Sequence, residues 1–116
     1  MSKESSGCPV CGVRQAQSSC VVDVAGEIDL NCSNAFQQSL LALLDNKPKR
    51  LIVNLSGVGY MDSSGVASLV KVLSRARKSG IELFLVALQP RVRSIFEITR
   101  LDGVFTIRLD EAAALA

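Results

Sequence analysis

The sequence predicts an α/β fold, a mixed and largely parallel β-sheet with helices packed against it, in the order β-β-α-β-α-β-α-β-α. Two observations carry that expectation. Residues 51–55 (Leu-Ile-Val-Asn-Leu) and 83–87 (Leu-Phe-Leu-Val-Ala) are nearly continuous apolar runs, the pattern of parallel strands covered on both faces. Segments with one apolar face at helical spacing separate such runs, which implies right-handed crossovers. With 116 residues and no internal repeat, the chain has the mass for one domain with one core.

Residues 1–17 are polar and rich in Ser and Gln, and read as a loose leader before a folded domain spanning 18–116. Val21, Val22 and Val24 form the first strand, Ala25-Gly26 a tight turn, and residues 27–30 a second short strand. A helix over 33–44 places Phe36, Leu40, Leu43 and Leu44 on one face, and Asn46-Lys47-Pro48 ends it. The strand 51–55 follows. The second helix, 64–79, turns Val66, Leu69, Val70, Leu73 and Ala76 inward and Lys71, Arg75 and Lys78 outward, with Gly80 as its stop. After the strand 83–87, Gln89-Pro90 opens a third helix with Val92, Ile95, Phe96 and Thr99 in one stripe. A last short strand covers 104–107, and a frayed helix 110–116.

Composition removes several function classes. The net charge of +2 is too weak a bias for a nucleic-acid surface, and without Trp and with one Tyr there is no base-stacking platform. Histidine is absent, which excludes Ser-His-Asp and Cys-His catalysis and histidine metal sites. No phosphate-binding loop motif is present, and no cofactor is expected. Residues 1–12 lack the apolar run of a signal peptide, and no segment approaches membrane-spanning length. The expected location is the cytoplasm, with reduced thiols and no direct membrane insertion.

Cys8 and Cys11 form a CxxC, and Cys20 and Cys32 are the remaining thiols of a conceivable four-thiolate zinc set. Zinc sites usually show two close pairs, whereas Cys20 and Cys32 lie far apart in different elements. A redox CxxC usually opens a helix after a strand, and this one lies in the leader. Reduced thiols without a metal are the favoured reading. The basic residues Lys71, Arg75 and Lys78, with Arg91, Arg93 and Arg100, form either solvated helix faces or a surface that steers an acidic partner.

The turn Met61-Asp62-Ser63-Ser64-Gly65, between a strand and a helix, has three possible uses: a helix cap, a nucleophile, or a substrate presented to another enzyme. Asp and Ser are favoured N-caps. A nucleophilic serine needs a base nearby, and this chain has no histidine to supply it. A helix N-terminus tolerates a phosphate on Ser63 or Ser64, which would add about −1.5 to −2 charges without breaking the fold.

Residues 51–58 with Tyr60-Met61-Asp62-Ser63-Ser64-Gly65, the block Gly26-Glu27-Ile28-Asp29-Leu30, and residues 89–96 together resemble the bacterial anti-sigma-factor antagonists, small STAS-domain proteins. The likeness covers about residues 21–115. It implies a STAS-type fold and a non-enzymatic protein whose Ser63 is phosphorylated by an anti-sigma factor that is itself a serine kinase. The unphosphorylated antagonist would bind that kinase and free the sigma factor, and a serine phosphatase would reset it. By the same likeness Asp62 orients Ser63, Ser64 caps the helix, Gly65 admits the partner's active site, and Asp29 helps form the binding face. Lys71 and Arg75 would extend that face. Two departures from the family pattern stand out: residues 13–19 are too polar for the usual strand before Val21, and Arg100 replaces a small residue. A rival of a different class is a STAS subunit of a lipid-transport ABC complex, docking on its ATPase without phosphorylation.

Overall fold

A computed structural model describes residues 10–115. The elements are β1 (Val10–Ala16), β2 (Ser19–Ile28), α1 (Ser33–Leu44), β3 (Arg50–Met61), α2 (Ser63–Lys78), β4 (Glu82–Val86), α3 (Pro90–Ile98), a short 3-10 turn (Leu101–Gly103), β5 (Thr106–Arg108) and α4 (Glu111–Leu115). The sheet order is β1-β2-β3-β4-β5. β1 pairs antiparallel with β2, and the other neighbours pair parallel. This is the mixed, largely parallel sheet and the element order that the sequence predicts.

One strand arises where the sequence reading places a loose leader. Residues 10–16 form β1, and Gln17 and Ser18, with φ of 52° and 67°, make the two-residue turn into β2. Positive φ at both central positions matches the right-handed twist of a hairpin. Gln-Ser is not the Asn-Gly or Asp-Gly pair that usually announces such a turn. β1 is polar because it is an edge strand with most side chains toward water. The expected turn at Ala25-Gly26 is instead a kink within the continuous strand β2. The register with β3 shifts on either side of that point, and Gly26 has φ of 96°.

The sheet alternates side chains between two layers. Val22, Val24, Leu51, Val53, Leu55, Leu83 and Leu85 face the main core, which Phe36 and Leu40 of α1, Leu69 and Val72 of α2, and Phe96 of α3 complete. Phe96 meets Phe105 edge to face, with centroids 5.4 Å apart. On α2 the inward face includes Val72, whereas Val70, expected in the core, is 40 % exposed. The opposite sheet face buries Val21, Ile52, Phe84 and Val86 under Ala114 of α4. Arg14 ties that helix down by bonding both Asp23 and Glu111, and Asn54 donates to Glu111 at 2.6 Å. Covering both faces is what lets β3 read as an unbroken apolar run. It also delivers the C-terminal ends of β2 and β3, side by side, to one rim of the molecule.

Candidate functional site

At that rim Ile28 pairs with Met61, and the Asp62 amide donates to the Ile28 carbonyl at 3.1 Å. The chain then turns into α2. Asp62 is extended (φ −99°, ψ −174°), so its carboxylate swings over the first turn and accepts the Ser64 and Gly65 amides at 2.9 and 3.3 Å. The Ser64 hydroxyl donates to the same oxygen at 2.5 Å. The cap is therefore Asp62, not Ser64 as expected from the sequence. Ser64 is already inside the helix, and only the residue outside it can reach the second and third amides. The Ser64 hydroxyl, the amides of Gly65 and Ser64, and the Leu30 amide hold the Asp62 carboxyl below its usual range.

Ser63 occupies the first helical position, exposed, and no hydrogen bond among the described residues uses its hydroxyl. The positive end of α2 lies behind it. Ser63 also lines an open groove of about 390 Å³ whose other walls are Tyr60, Met61, Asp62, Val66, Ile95 and Thr99. Exposure and an unengaged hydroxyl make Ser63 a chemically available acceptor. The neighbouring Asp62 carboxylate is engaged by the Ser64 hydroxyl and the Ser64 and Gly65 amides rather than by Ser63.

Gly65 is buried. A Cβ there would lie 2.7 Å from Met61 Cγ and 2.8 Å from Ile28 Cγ2. The close approach this glycine permits is inward, of α2 onto the ends of β2 and β3, where the sequence reading assigned it to a partner. Asp29 stands beside the site, one residue past β2. Its carboxylate accepts the Asn31 amide at 3.0 Å, and its carbonyl accepts the amides of Cys32 and Ser33 to start α1. Lys71 lies on the exposed face of α2, about 12 Å along the axis from Ser63. Arg75, about 18 Å along, bonds Asp45 at the end of α1 at 3.1 Å and so braces the α1–α2 pair.

Cys8 lies outside the described residues. Cys20, at the start of β2, is buried, and burial pushes its thiol up. Cys32 donates to the Glu27 carbonyl at 3.2 Å at the other end of β2. At about 3.3 Å per strand residue, the two thiols are roughly 20 Å apart and cannot share one metal ion. Among the described residues no group of three or more His, Cys, Asp or Glu side chains could hold a metal, and no helix is long and apolar enough to cross a membrane.

The sequence reading missed Leu30, Tyr60 and the outer edge of α3. Leu30 is 78 % exposed in the turn after β2. Ile95 and Thr99 read as core, yet Thr99 is exposed and both wall the groove beside Ser63. A helical stripe in sequence does not distinguish a residue at the centre of a buried face from one at its margin.

Comparison with known proteins places this geometry. Residues 12–114 match the STAS domain family. The anti-sigma-B factor antagonist of Bacillus subtilis is 32% identical over 95 residues, covering 82% of this chain and 86% of that protein. Its namesake in Staphylococcus aureus is 31% identical over 86 residues, covering 74% and 80%. The crystal structure of an anti-sigma factor antagonist from Mycobacterium paratuberculosis superposes with a TM-score of 0.81 at 29% identity, covering 89% of this chain and 87% of that one. An anti-sigma-factor antagonist domain from Planctomyces limnophilus, 18% identical, shares the fold at a TM-score of 0.79 over 90% and 92%. A match that runs through both sheet faces and the Asp62–Gly65 turn leaves one assignment: the chain belongs to the STAS-domain family of anti-sigma-factor antagonists.

Proposed function

We propose that the protein binds an anti-sigma factor that is a serine kinase, and that this binding frees a sigma factor in the cytoplasm. Phosphorylation of Ser63 ends the complex, and a serine phosphatase restores it. One observation carries the reading: the Ser63 hydroxyl is exposed at the first position of α2, while the Asp62 carboxylate, buttressed by the Ser64 hydroxyl, caps the helix without it. A phosphate there changes the surface and leaves the fold intact. The names borne by the relatives in Bacillus subtilis and Staphylococcus aureus agree with such a role.

The magnitudes are sufficient. Shifting a binding equilibrium from 1:99 to 99:1 requires about 5.5 kcal/mol. A dianionic phosphate forced into an interface shaped for a hydroxyl meets steric exclusion as well as like-charge repulsion worth several kcal/mol. Asp62 and Asp29 add negative charge at the same rim.

Incubation of the full chain with ATP and an anti-sigma serine kinase from the same organism, followed by mass spectrometry of the peptides, tests the proposal. One phosphate on Ser63, absent from Ser63→Ala, is the expected result, together with loss of binding by the phosphorylated form. No phosphate on Ser63, with Ser63→Ala binding and releasing the kinase as the wild type does, would sink it. Stable binding to a transport ATPase in place of the kinase would point to the lipid-transport role.

A further inference from the structure

Leu30 combines a large exposed apolar side chain with an unusually well anchored backbone. The residues on either side of it are pinned: the Asn31 amide donates to the Asp29 carboxylate, and the Asp29 carbonyl accepts the first amides of α1. A side chain on so fixed a base loses little freedom when a partner covers it. Across Ser63 lies the groove walled by Tyr60, Val66, Ile95 and Thr99, a concave apolar surface of about 390 Å³. Ile98, 80 % exposed, follows Ile95 by one helical turn along α3. Knob and groove thus flank the phosphoacceptor, and the pairing of Ile28 with Met61, with the Asp62 amide on the Ile28 carbonyl, fixes one to the other.

A serine hydroxyl at a helix terminus is too common a feature to be recognised by itself, so discrimination has to come from what surrounds it. Ser63 is itself part of the groove wall, and an enzyme that delivers phosphate to it must cover the groove. A standard interface of about 800 Å² per partner reaches roughly 16 Å from its centre, enough to take in Leu30 as well. We propose that Leu30 and this groove form a two-part docking surface for the kinase that modifies Ser63. The kinase offers an apolar pocket to Leu30 and inserts an apolar side chain between α2 and α3. Glu27, Asp29 and Asp62 carry negative charge beside Leu30, so the kinase surface around that pocket bears Lys or Arg. The inference rests on Ser63 being the phosphoacceptor.

Steady-state phosphorylation of the full chain by its anti-sigma kinase and ATP tests this with Leu30→Ser and Thr99→Trp, the second filling the groove. Leu30 is exposed and Leu30→Ser keeps the wild-type urea midpoint. Thr99 donates its hydroxyl to the Ile95 carbonyl at the end of α3, so KM of Thr99→Trp is read under conditions where its own urea curve shows it fully folded. The expected result is a KM raised about tenfold or more in each variant, with kcat within about twofold of wild type, and a near-normal KM in Leu30→Met. Wild-type KM in both variants, while Ser63→Ala takes no phosphate, overturns the docking surface and leaves Ser63 as the acceptor. A loss confined to kcat overturns it too. Wild-type KM together with a shifted monomer–dimer equilibrium of Leu30→Ser in sedimentation would make a second copy the occupant and overturn the kinase assignment. A wild-type chain that takes no phosphate on Ser63 removes the underlying reading and the docking surface with it.

Discussion

The Asp62 carboxylate bridges over Ser63 to Ser64, accepting that residue's amide at 2.9 Å and its hydroxyl at 2.5 Å. The bridge divides the labour of two adjacent serines. Ser64 is spent on the helix terminus, and Ser63 is left facing solvent with its hydroxyl unengaged. The Asp62 amide donates to the Ile28 carbonyl at 3.1 Å, so the residue that caps α2 is also tied to the end of β2.

Removing that carboxylate is expected to unsettle the start of α2. Asp62→Ala should lower Tm by roughly 4–8 °C, the scale of a lost N-cap in a domain of this size. Ser64→Ala, which deletes one buttress and keeps the cap, should lower it by about half as much. Thermal unfolding followed by circular dichroism measures both. Equal losses for the two variants would mean that Ser64 shares the capping role.

Acid should weaken the fold through three carboxylates. The Ser64 hydroxyl and local amides hold Asp62 below its usual range. The Arg14 guanidinium does the same for Asp23 and, with Asn54, for Glu111. Each depressed group contributes stability that is fully present above its unfolded value and is lost as pH falls through its folded value. The urea midpoint should be flat from about pH 7 to pH 5 and decline below about pH 4. Asp62→Asn should make the decline shallower without moving the plateau's upper edge.

Gly65→Ala places a methyl group 2.7 Å from Met61 Cγ and 2.8 Å from Ile28 Cγ2. Met61 is flexible and can yield, but Ile28 is branched at Cβ and its carbonyl lies 3.3 Å away. Overpacking should outweigh the better helix propensity of alanine, for a net loss of about 1–2 kcal/mol in urea unfolding. A stabilised variant would show that the rim has slack to accommodate the methyl.

Arg100 follows α3 in the left-handed region, with φ of 63° and ψ of 20°. Arginine is strained there, and glycine is the usual occupant of the position after a helix. Arg100→Gly should stabilise the protein by about 0.5–1 kcal/mol, read as a higher urea midpoint with an unchanged slope.

Much of this architecture was legible in the chain. Phe36, Leu40 and Leu44 repeat at helical spacing, and α1 spans the residues that repeat marks. The apolar runs of β3 and β4 announced a covered parallel sheet, and the resemblance carried by residues 51–65 pointed to Ser63. These signals are local: each depends on the periodicity or chemistry of a few neighbouring residues. What escaped was set by contacts between distant segments. β1 exists because β2 offers it an edge, and the apolar pattern of residues 10–16 is too sparse to show it. Val72 rather than Val70 enters the core because α1 and the sheet together set the rotation of α2. Asp62 won the cap over Ser64 because the strand Met61 ends in holds it extended, at the one place from which a side chain reaches the helix's free amides. Gly65 faces Ile28, which lies 37 residues earlier in the chain and adjacent in space only because β2 and β3 pair in parallel. The sequence by itself determined the helices, the covered parallel strands and the class of fold, and it singled out Ser63 as the candidate acceptor. Tertiary structure decided which side of each helix is covered and which residue serves each role at the rim, because burial is a property of the assembled sheet and helices and not of any one segment.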